Sequence, residues 1–91
     1  MKVHNIIGNR SSSHYRDIGI AEWKNFTNIN DPYCIAKGCT NKGTEGAHVT
    51  KVDSSDHQWY ICPFCREHNE AAEDVELEDF ADIFLVPLES L

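Results

Sequence analysis

YICPFCREHN, residues 60–69, contains three potential metal ligands at equal spacing: Cys62, Cys65 and His68. A cysteine pair lies upstream in CIAKGC, residues 34–39. Structural zinc takes four nitrogen or sulfur ligands in a tetrahedron. Two close pairs separated by roughly 25 residues can supply these ligands, so the sequence predicts one zinc ion bound by two ligands from each stretch.

The spacing alone does not decide which two of the three downstream groups bind the metal. Cys62 with Cys65 is similar to a zinc knuckle, but knuckles usually have glycine after the second cysteine, and here Arg66 follows. Cys65 and His68 lie at positions i and i+3 of one helical face, which leaves Cys62 to pack in a strand like a small apolar residue. We predict four ligands: Cys34, Cys39, Cys65 and His68. The Cys62 alternative stays open.

The segments around these ligands predict an α+β fold of the treble-clef type, with a knuckle, a β-hairpin and then a ligand-bearing helix. Residues 46–52 and 57–62 are β-rich and flank the turn composition DSSD at 53–56, which together predict the hairpin. Pro63 has no N–H to donate and is expected to close the second strand. A helix is predicted over 65–73, with acids near its N-terminus.

The N-terminal part of the chain predicts two further elements. KVHNII, residues 2–7, favours a short strand, and the polar, serine-rich stretch at 8–17 favours a loop. A helix is predicted over 19–27, because apolar side chains recur there on one face. Trp23 and Phe26 are expected to lie in the core.

Length, composition and cysteine content narrow the class of protein. Ninety-one residues with 41% hydrophobic and 25% charged side chains predict one soluble domain, 1–91, with a small core that a metal would stabilise. No stretch is apolar enough for a membrane span or secretory signal, so we expect a cytoplasmic protein whose cysteines bind metal rather than form disulfides. Gly38, next to Cys39, is expected to allow a tight turn that points amides at the thiolates.

Charge divides the chain into two parts. Residues 1–66 contain all eight Lys and Arg and six acids, a net charge of +2, whereas residues 67–91 contain nine acids and no Lys or Arg, a net charge of −9. This acidic tail would repel nucleic acid and attract a basic protein partner. We expect a monomer whose tail presents exposed acids such as Glu73, Asp74 and Glu78.

Apolar residues are interspersed with these acids, so we expect the tail to dock on the rest of the fold. A short helical turn is predicted at 77–82, and IFLVPL, residues 83–88, favours a final strand or a strap over the core. Phe80, Phe84 and Leu88 recur at every fourth position and are the residues expected to dock.

GAHVTKV at 46–52 and WYICPFCREHN at 59–69 resemble the ββα-metal unit of the HNH endonuclease family, over about residues 34–72. The chain is also similar to small bacterial and phage proteins with a GAHV…WYI-x-P-x-C-x2-C-N pattern. In that pattern Cys65 takes the place of the first helical cysteine and His68 that of the second. The resemblance therefore implies a bacterial or phage origin and the same zinc ligands.

The chain departs from the HNH pattern at its catalytic positions. His48 takes the place of the general base, but Ala47, Tyr60 and Asn69 stand where the family has an acid, an asparagine and a histidine. A zinc ion with three cysteines and one histidine has no open position and is typical of a structural site. We therefore predict no catalytic residues.

The sequence predicts a structural-zinc protein that acts as a non-catalytic interaction module for a protein partner. One alternative is a divergent HNH-type nuclease in which His48 activates water. Another is a zinc finger that binds nucleic acid without cleaving it, through a basic face and aromatic side chains that stack on bases. The residues of that face would be Lys37, Lys42, Lys51, Arg66, Trp59 and Tyr60.

Overall fold

The computed structural model of the chain describes residues 1–6, 15 and 17–91. The loop predicted at 8–17 lies mostly outside the described residues, as does the last residue of the strand predicted at 2–7. The described elements are, in chain order, β1 (Lys2–Asn5), α1 (Ile20–Thr27), β2 (Glu45–Lys51), β3 (Tyr60–Phe64), α2 (Arg66–Asn69), β4 (Val75–Glu76), a 3₁₀ helix (Ala81–Phe84), β5 (Val86–Pro87) and a 3₁₀ helix (Leu88–Ser90).

The five strands form one antiparallel sheet in the order β4-β1-β2-β3-β5. The predicted hairpin, β2 with β3, lies at its centre, where Ala47 is opposite Cys62 and His48 is opposite Ile61. β1 pairs with the outer side of β2, and the two short C-terminal strands close the two edges. The α+β class predicted from the sequence is confirmed.

The prediction that Pro63 ends the second hairpin strand is wrong, because the strand runs from Tyr60 to Phe64. Pro63 lies opposite Gly46 in the β2 ladder, and its carbonyl accepts a hydrogen bond from the Ile35 N–H at 3.2 Å. The nitrogen and carbonyl of a strand residue point to the same side, so the proline nitrogen points away from β2. The missing N–H therefore costs no bond of the β2–β3 ladder.

Strand alternation divides the core between the two faces of the sheet. Ala47, Val49 and Cys62 are buried on one side, together with the cysteine-bearing loop and α2. Ile61 is buried on the other side, where it packs with Trp23 of α1. We call these the metal face and the helix face.

Helix α1 was predicted correctly, but only one of its two aromatic residues lies in the core. The Gly19 N–H donates to the Glu22 carboxylate at 2.7 Å and so caps the first turn. Trp23 is fully buried, stacks on Phe84 with ring centroids 6.2 Å apart, and donates from Nε1 to the Phe84 carbonyl at 3.0 Å. Phe26 is 54% exposed, so its predicted core position is wrong. Trp23 is the one buried residue of α1, and Ile20 packs beside it.

Helix α2 is shorter than predicted, because it ends at Asn69 instead of residue 73. The positions that follow are rich in acids, which the C-terminal end of a helix dipole disfavours. The chain must also turn at once, since Val75 pairs with Val3 of β1. The pairing of β4 with β1 therefore overrides the helical propensity of residues 70–73.

The C-terminal segment docks on the fold as predicted, through two of the three residues of the predicted every-fourth-residue pattern. Leu88 is buried and the half-buried Phe84 packs against both core clusters, whereas Phe80 is 56% exposed and Ala81 beside it is fully buried. The segment forms only short 3₁₀ helices, at Ala81–Phe84 and Leu88–Ser90, so a spacing of four does not keep all three side chains on one face. Elsewhere it follows the period of extended chain: Val75 and Leu77 are both buried.

Candidate metal centre

The first two candidate ligands lie in a tight loop that is closed by backbone hydrogen bonds. Tyr33 bridges to Lys42, and the Cys34 N–H donates to the Asn41 carbonyl at 2.9 Å. Gly38 has φ of +76°, the left-handed conformation that glycine adopts without steric cost. The Cys39 N–H then donates to the Ala36 carbonyl at 3.0 Å. The turn at Gly38 thereby brings both cysteines to one side of this loop, residues 33–42, which we call the metal loop.

The other two candidates come from the start of α2. Cys65 is the N-terminal capping residue, and its carbonyl accepts the first helical hydrogen bond, from the Asn69 N–H at 2.9 Å. His68 lies one turn later on the same face, with Nδ1 3.2 Å from the Cys65 Sγ. The i, i+3 spacing read from the sequence therefore places both side chains together, although the helix contains only four residues.

The four groups lie close enough together to share one metal ion. Their ligand atoms all lie within 4.8 Å of one another, so Cys34, Cys39, Cys65 and His68 are close enough to bind one metal ion. His68 Nδ1 is 3.6 Å from the Cys34 Sγ, and the Sγ atoms of Cys39 and Cys65 are 3.9 Å apart. Zinc–sulfur and zinc–nitrogen bond lengths imply separations of about 3.5–3.8 Å in a tetrahedron.

Burial and hydrogen bonding act differently on the two most buried ligands. Burial raises the pKa of Cys34 to about 12, although backbone N–H groups of Cys65 and Ala36 act against it. Burial also raises the pKa of Cys65, but hydrogen bonds from the backbone and side chain of His68, together with Asn41 and Cys34, outweigh it and lower that pKa to about 7. A cation bound by these residues would supply the charge that stabilises both sulfurs as thiolates.

Among the described residues, the four groups that could share a metal ion do not include Cys62, the alternative ligand. It is fully buried in β3 opposite Ala47, and burial raises the pKa of its thiol far above the usual range. It packs as a small apolar residue on the metal face, as the sequence interpretation that favoured His68 predicted. The geometry therefore favours His68 over Cys62 as the fourth ligand.

Two supporting residues were missed by sequence analysis. Asn5 of β1 is 4% exposed, and its Nδ2 donates to the carbonyls of His68 at 2.9 Å and Ala71 at 3.1 Å. Glu78 accepts a hydrogen bond from the Gly38 N–H at 2.9 Å. Asn5 and Glu78 come from opposite ends of the chain, and no local pattern signals that they meet the metal loop and α2.

The Glu78 contact corrects one expectation. The turn at Gly38 was expected to point amides at the thiolates, and the Ala36 N–H does point at the Cys34 sulfur, whereas the Gly38 N–H points at the Glu78 carboxylate. Glu78 was predicted to be an exposed acid, but it is half-buried on the metal loop. Glu73 and Asp74 are exposed as predicted, and Asp74 contacts His4 Nδ1 at 2.8 Å. The tail is therefore partly tied to the N-terminal strand and the metal loop.

The nuclease-like position His48 lies on the helix face, because it alternates with Ala47 and Val49 along β2. Its Nε2 is 2.7 Å from the Ile18 carbonyl, at the entrance to α1. His48 therefore lies in the hairpin, on the opposite side of the sheet from the four candidate ligands.

The basic face of the nucleic-acid alternative does not form as expected. Lys42 pairs with Asp31 at 2.9 Å, and Lys51 lies 3.5 Å from Asp82. Tyr60, expected to stack on bases, is 7% exposed. Two of its three lysines are thus paired with acids and one of its two aromatic rings is buried, which weakens this face as a nucleic-acid site.

No helix in the described part of the chain is long and apolar enough to cross a membrane. Comparison with protein-family models, curated proteins and solved structures finds no match to this chain. The resemblance to HNH endonucleases thus stays a prediction.

Proposed function

We propose that the chain is a zinc-binding domain of the treble-clef type that acts as a non-catalytic interaction module for a protein partner. One observation carries the proposal: three cysteine sulfurs and one histidine nitrogen converge within 4.8 Å. A donor set of three thiolates and one imidazole is typical of zinc, and four protein ligands complete its tetrahedron. The metal is then structural, since no position stays open for substrate or water.

The way the ligands are supported agrees with a structural role. The metal joins the loop around Cys34 and Cys39 to α2, and the Ile35 N–H joins the same loop to the Pro63 carbonyl of β3. Backbone hydrogen bonds also join this loop to the C-terminal segment, from the Lys37 N–H to the Glu76 carbonyl at 2.8 Å and from the Glu78 N–H to the Ile35 carbonyl at 3.0 Å. Chains of this length nevertheless often depend on a metal. All four cysteines are free thiols, which suits a reducing compartment such as the cytoplasm.

The charge of the surface favours a protein partner over nucleic acid. The chain has a net charge of −7, and the last 25 residues contribute −9. Such a surface repels phosphate and accelerates association with a basic protein. His48, the residue that a nuclease would use, lies on the helix face and contacts the Ile18 carbonyl.

The decisive experiment is metal analysis of the purified protein and of two matched variants. We expect one zinc per chain in the parent and in Cys62→Ala, and loss of zinc in His68→Ala. The reverse pattern would show that Cys62 and Cys65 form the ligand pair.

A plasmid-nicking assay with Mg²⁺ or Mn²⁺ tests the proposal that the domain is non-catalytic. Metal-dependent cleavage that His48→Ala abolishes would contradict that proposal.

A further inference from the structure

An apolar groove opens between the metal loop and the 3₁₀ helix Ala81–Phe84. It has a volume of about 250 Å³, and its apolar lining consists of Ile29, Pro32, Tyr33, Ile35, Phe80 and Phe84. The metal-ligand candidate Cys34 also lines it, and Asp31 is the charged residue of the lining. We call this feature the Tyr33 groove. Its size suits one or two large apolar side chains.

The aromatic side chains of the Tyr33 groove are held in place although they are exposed. Tyr33 is 58% exposed and Phe80 is 56% exposed. The Lys42 ammonium lies 4.2 Å from the centre of the Tyr33 ring and is itself paired with Asp31. Phe80 packs edge-on against Phe84, with ring centroids 5.8 Å apart. Exposed aromatic groups fixed around a concavity are typical of interaction sites rather than of plain surface.

Charge indicates what kind of segment would bind there. On the metal-loop side, Asp31 and Lys42 neutralise each other. On the tail side, the exposed Asp79 and Asp82 flank Phe80 and the 3₁₀ helix, and Lys51 makes one ion pair with Asp82, at 3.5 Å. The border nearest Phe80 is therefore negative. A second copy of the chain fits poorly, because both copies have a net charge of −7.

We propose that the Tyr33 groove is the docking site of the partner, and that it binds a basic segment whose bulky apolar side chain enters between Tyr33 and Phe80. This inference rests on the proposed function and specifies its surface. The apolar side chain supplies binding free energy by leaving water, and the Lys or Arg residues beside it face Asp79 and Asp82. Acidic segments and nucleic acid are excluded by the same charges.

The groove offers an internal reporter of binding. The Trp23 indole stacks on Phe84, which lines the groove, and donates its Nε1–H to the Phe84 carbonyl. A side chain that contacts Phe84 changes the surroundings of the indole. In a Trp59→Phe background, Trp23 is the single tryptophan of the chain, so its fluorescence reports occupancy of the groove.

The test is selection of a random displayed peptide library on the zinc-loaded full chain. We expect the selected peptides to combine one or two bulky apolar residues with an excess of Lys and Arg, and to change Trp23 fluorescence. Tyr33→Ser and Phe80→Ser should each weaken their binding about tenfold. The matched control is Ile83→Ser, because Ile83 is 78% exposed in the same 3₁₀ helix but does not line the groove.

Several results would overturn the inference. These are failure to select any peptide, selected peptides without a basic excess, or equal weakening by Ile83→Ser and Phe80→Ser. Concentration-dependent self-association that Phe80→Ser removes would assign the groove to a second copy and also reject the proposal. Zinc stoichiometry is measured on the same samples. A zinc-loaded, folded chain that gives these results rejects the docking site alone, whereas a chain without zinc rejects the proposed function itself.

Discussion

The two faces of the sheet are stabilised in different ways. On the metal face, four candidate ligands from two distant segments converge on one point, and the loop that carries two of them is also buried against the sheet through Ile35 and Ala36. On the helix face, one indole is enclosed by Ile61, Val86 and Leu88. Candidate ligands can be recognised from residue types at fixed spacing, whereas apolar packing depends on the shapes of the side chains. The comparison therefore separates what a metal does for this fold from what packing does.

The largest effect is expected from loss of the metal. Structural zinc contributes apparent binding free energies on the order of 10 kcal/mol or more, which exceeds the whole stability of many small domains. Titration with a chelator, or the substitution Cys65→Ser, should therefore unfold at least the metal loop and α2. Far-ultraviolet circular dichroism during thermal unfolding measures this.

The same experiment shows how far the two faces depend on each other. If the helix face folds by itself, Trp23 fluorescence should keep its buried character after zinc is removed. We expect it to change, because β3 contributes Ile61 to one face and Cys62 to the other. An unchanged, cooperative melt of the metal-free protein would contradict the assignment of the metal as structural.

A smaller effect is expected on the helix face. Trp23→Ala removes a fully buried indole and its hydrogen bond to Phe84, and large-to-small substitutions of this kind cost about 3–5 kcal/mol. Phe26→Ala is the matched control three residues later in α1, and it should change stability by no more than about 0.5 kcal/mol because Phe26 is exposed. Urea unfolding of the zinc-loaded variants gives both values. Equal losses for the two would show that α1 packs through a different face.

The metal face could be predicted from the sequence because its signals are local. Two cysteines around a glycine, and a cysteine and a histidine one helical turn apart, indicate the ligands without any knowledge of packing. The hairpin between them follows from two β-rich runs and a turn composition. The choice of His68 over Cys62 as the fourth ligand also depended on a local feature, the i, i+3 spacing of Cys65 and His68 within one helical turn.

The helix face and the tail could be predicted only in part, because tertiary packing decides them. Helical periodicity placed both Trp23 and Phe26 in the core, but the structure has room for one of them. Pro63 was expected to end a strand, and only the direction of its nitrogen explains why the strand continues. In the tail, the pairing of β4 with β1 sets which residues are buried, and strand partners distant in sequence leave no local signal.

The last prediction tests a contact that joins the N-terminal strand to the metal face, and that neither spacing nor periodicity reveals. Asn5 donates two hydrogen bonds to carbonyls at the end of α2, one of them on the ligand candidate His68. These two bonds tie the carbonyls of His68 and Ala71 to β1, so Asn5→Ala should cost about 1–3 kcal/mol and hasten zinc transfer to a competing chelator. His4→Ala is the control, because His4 is the exposed neighbour in β1 and contacts Asp74 instead. If Asn5→Ala alters neither the unfolding midpoint nor the rate of zinc transfer, the other contacts of α2 position it without the hydrogen bonds from β1.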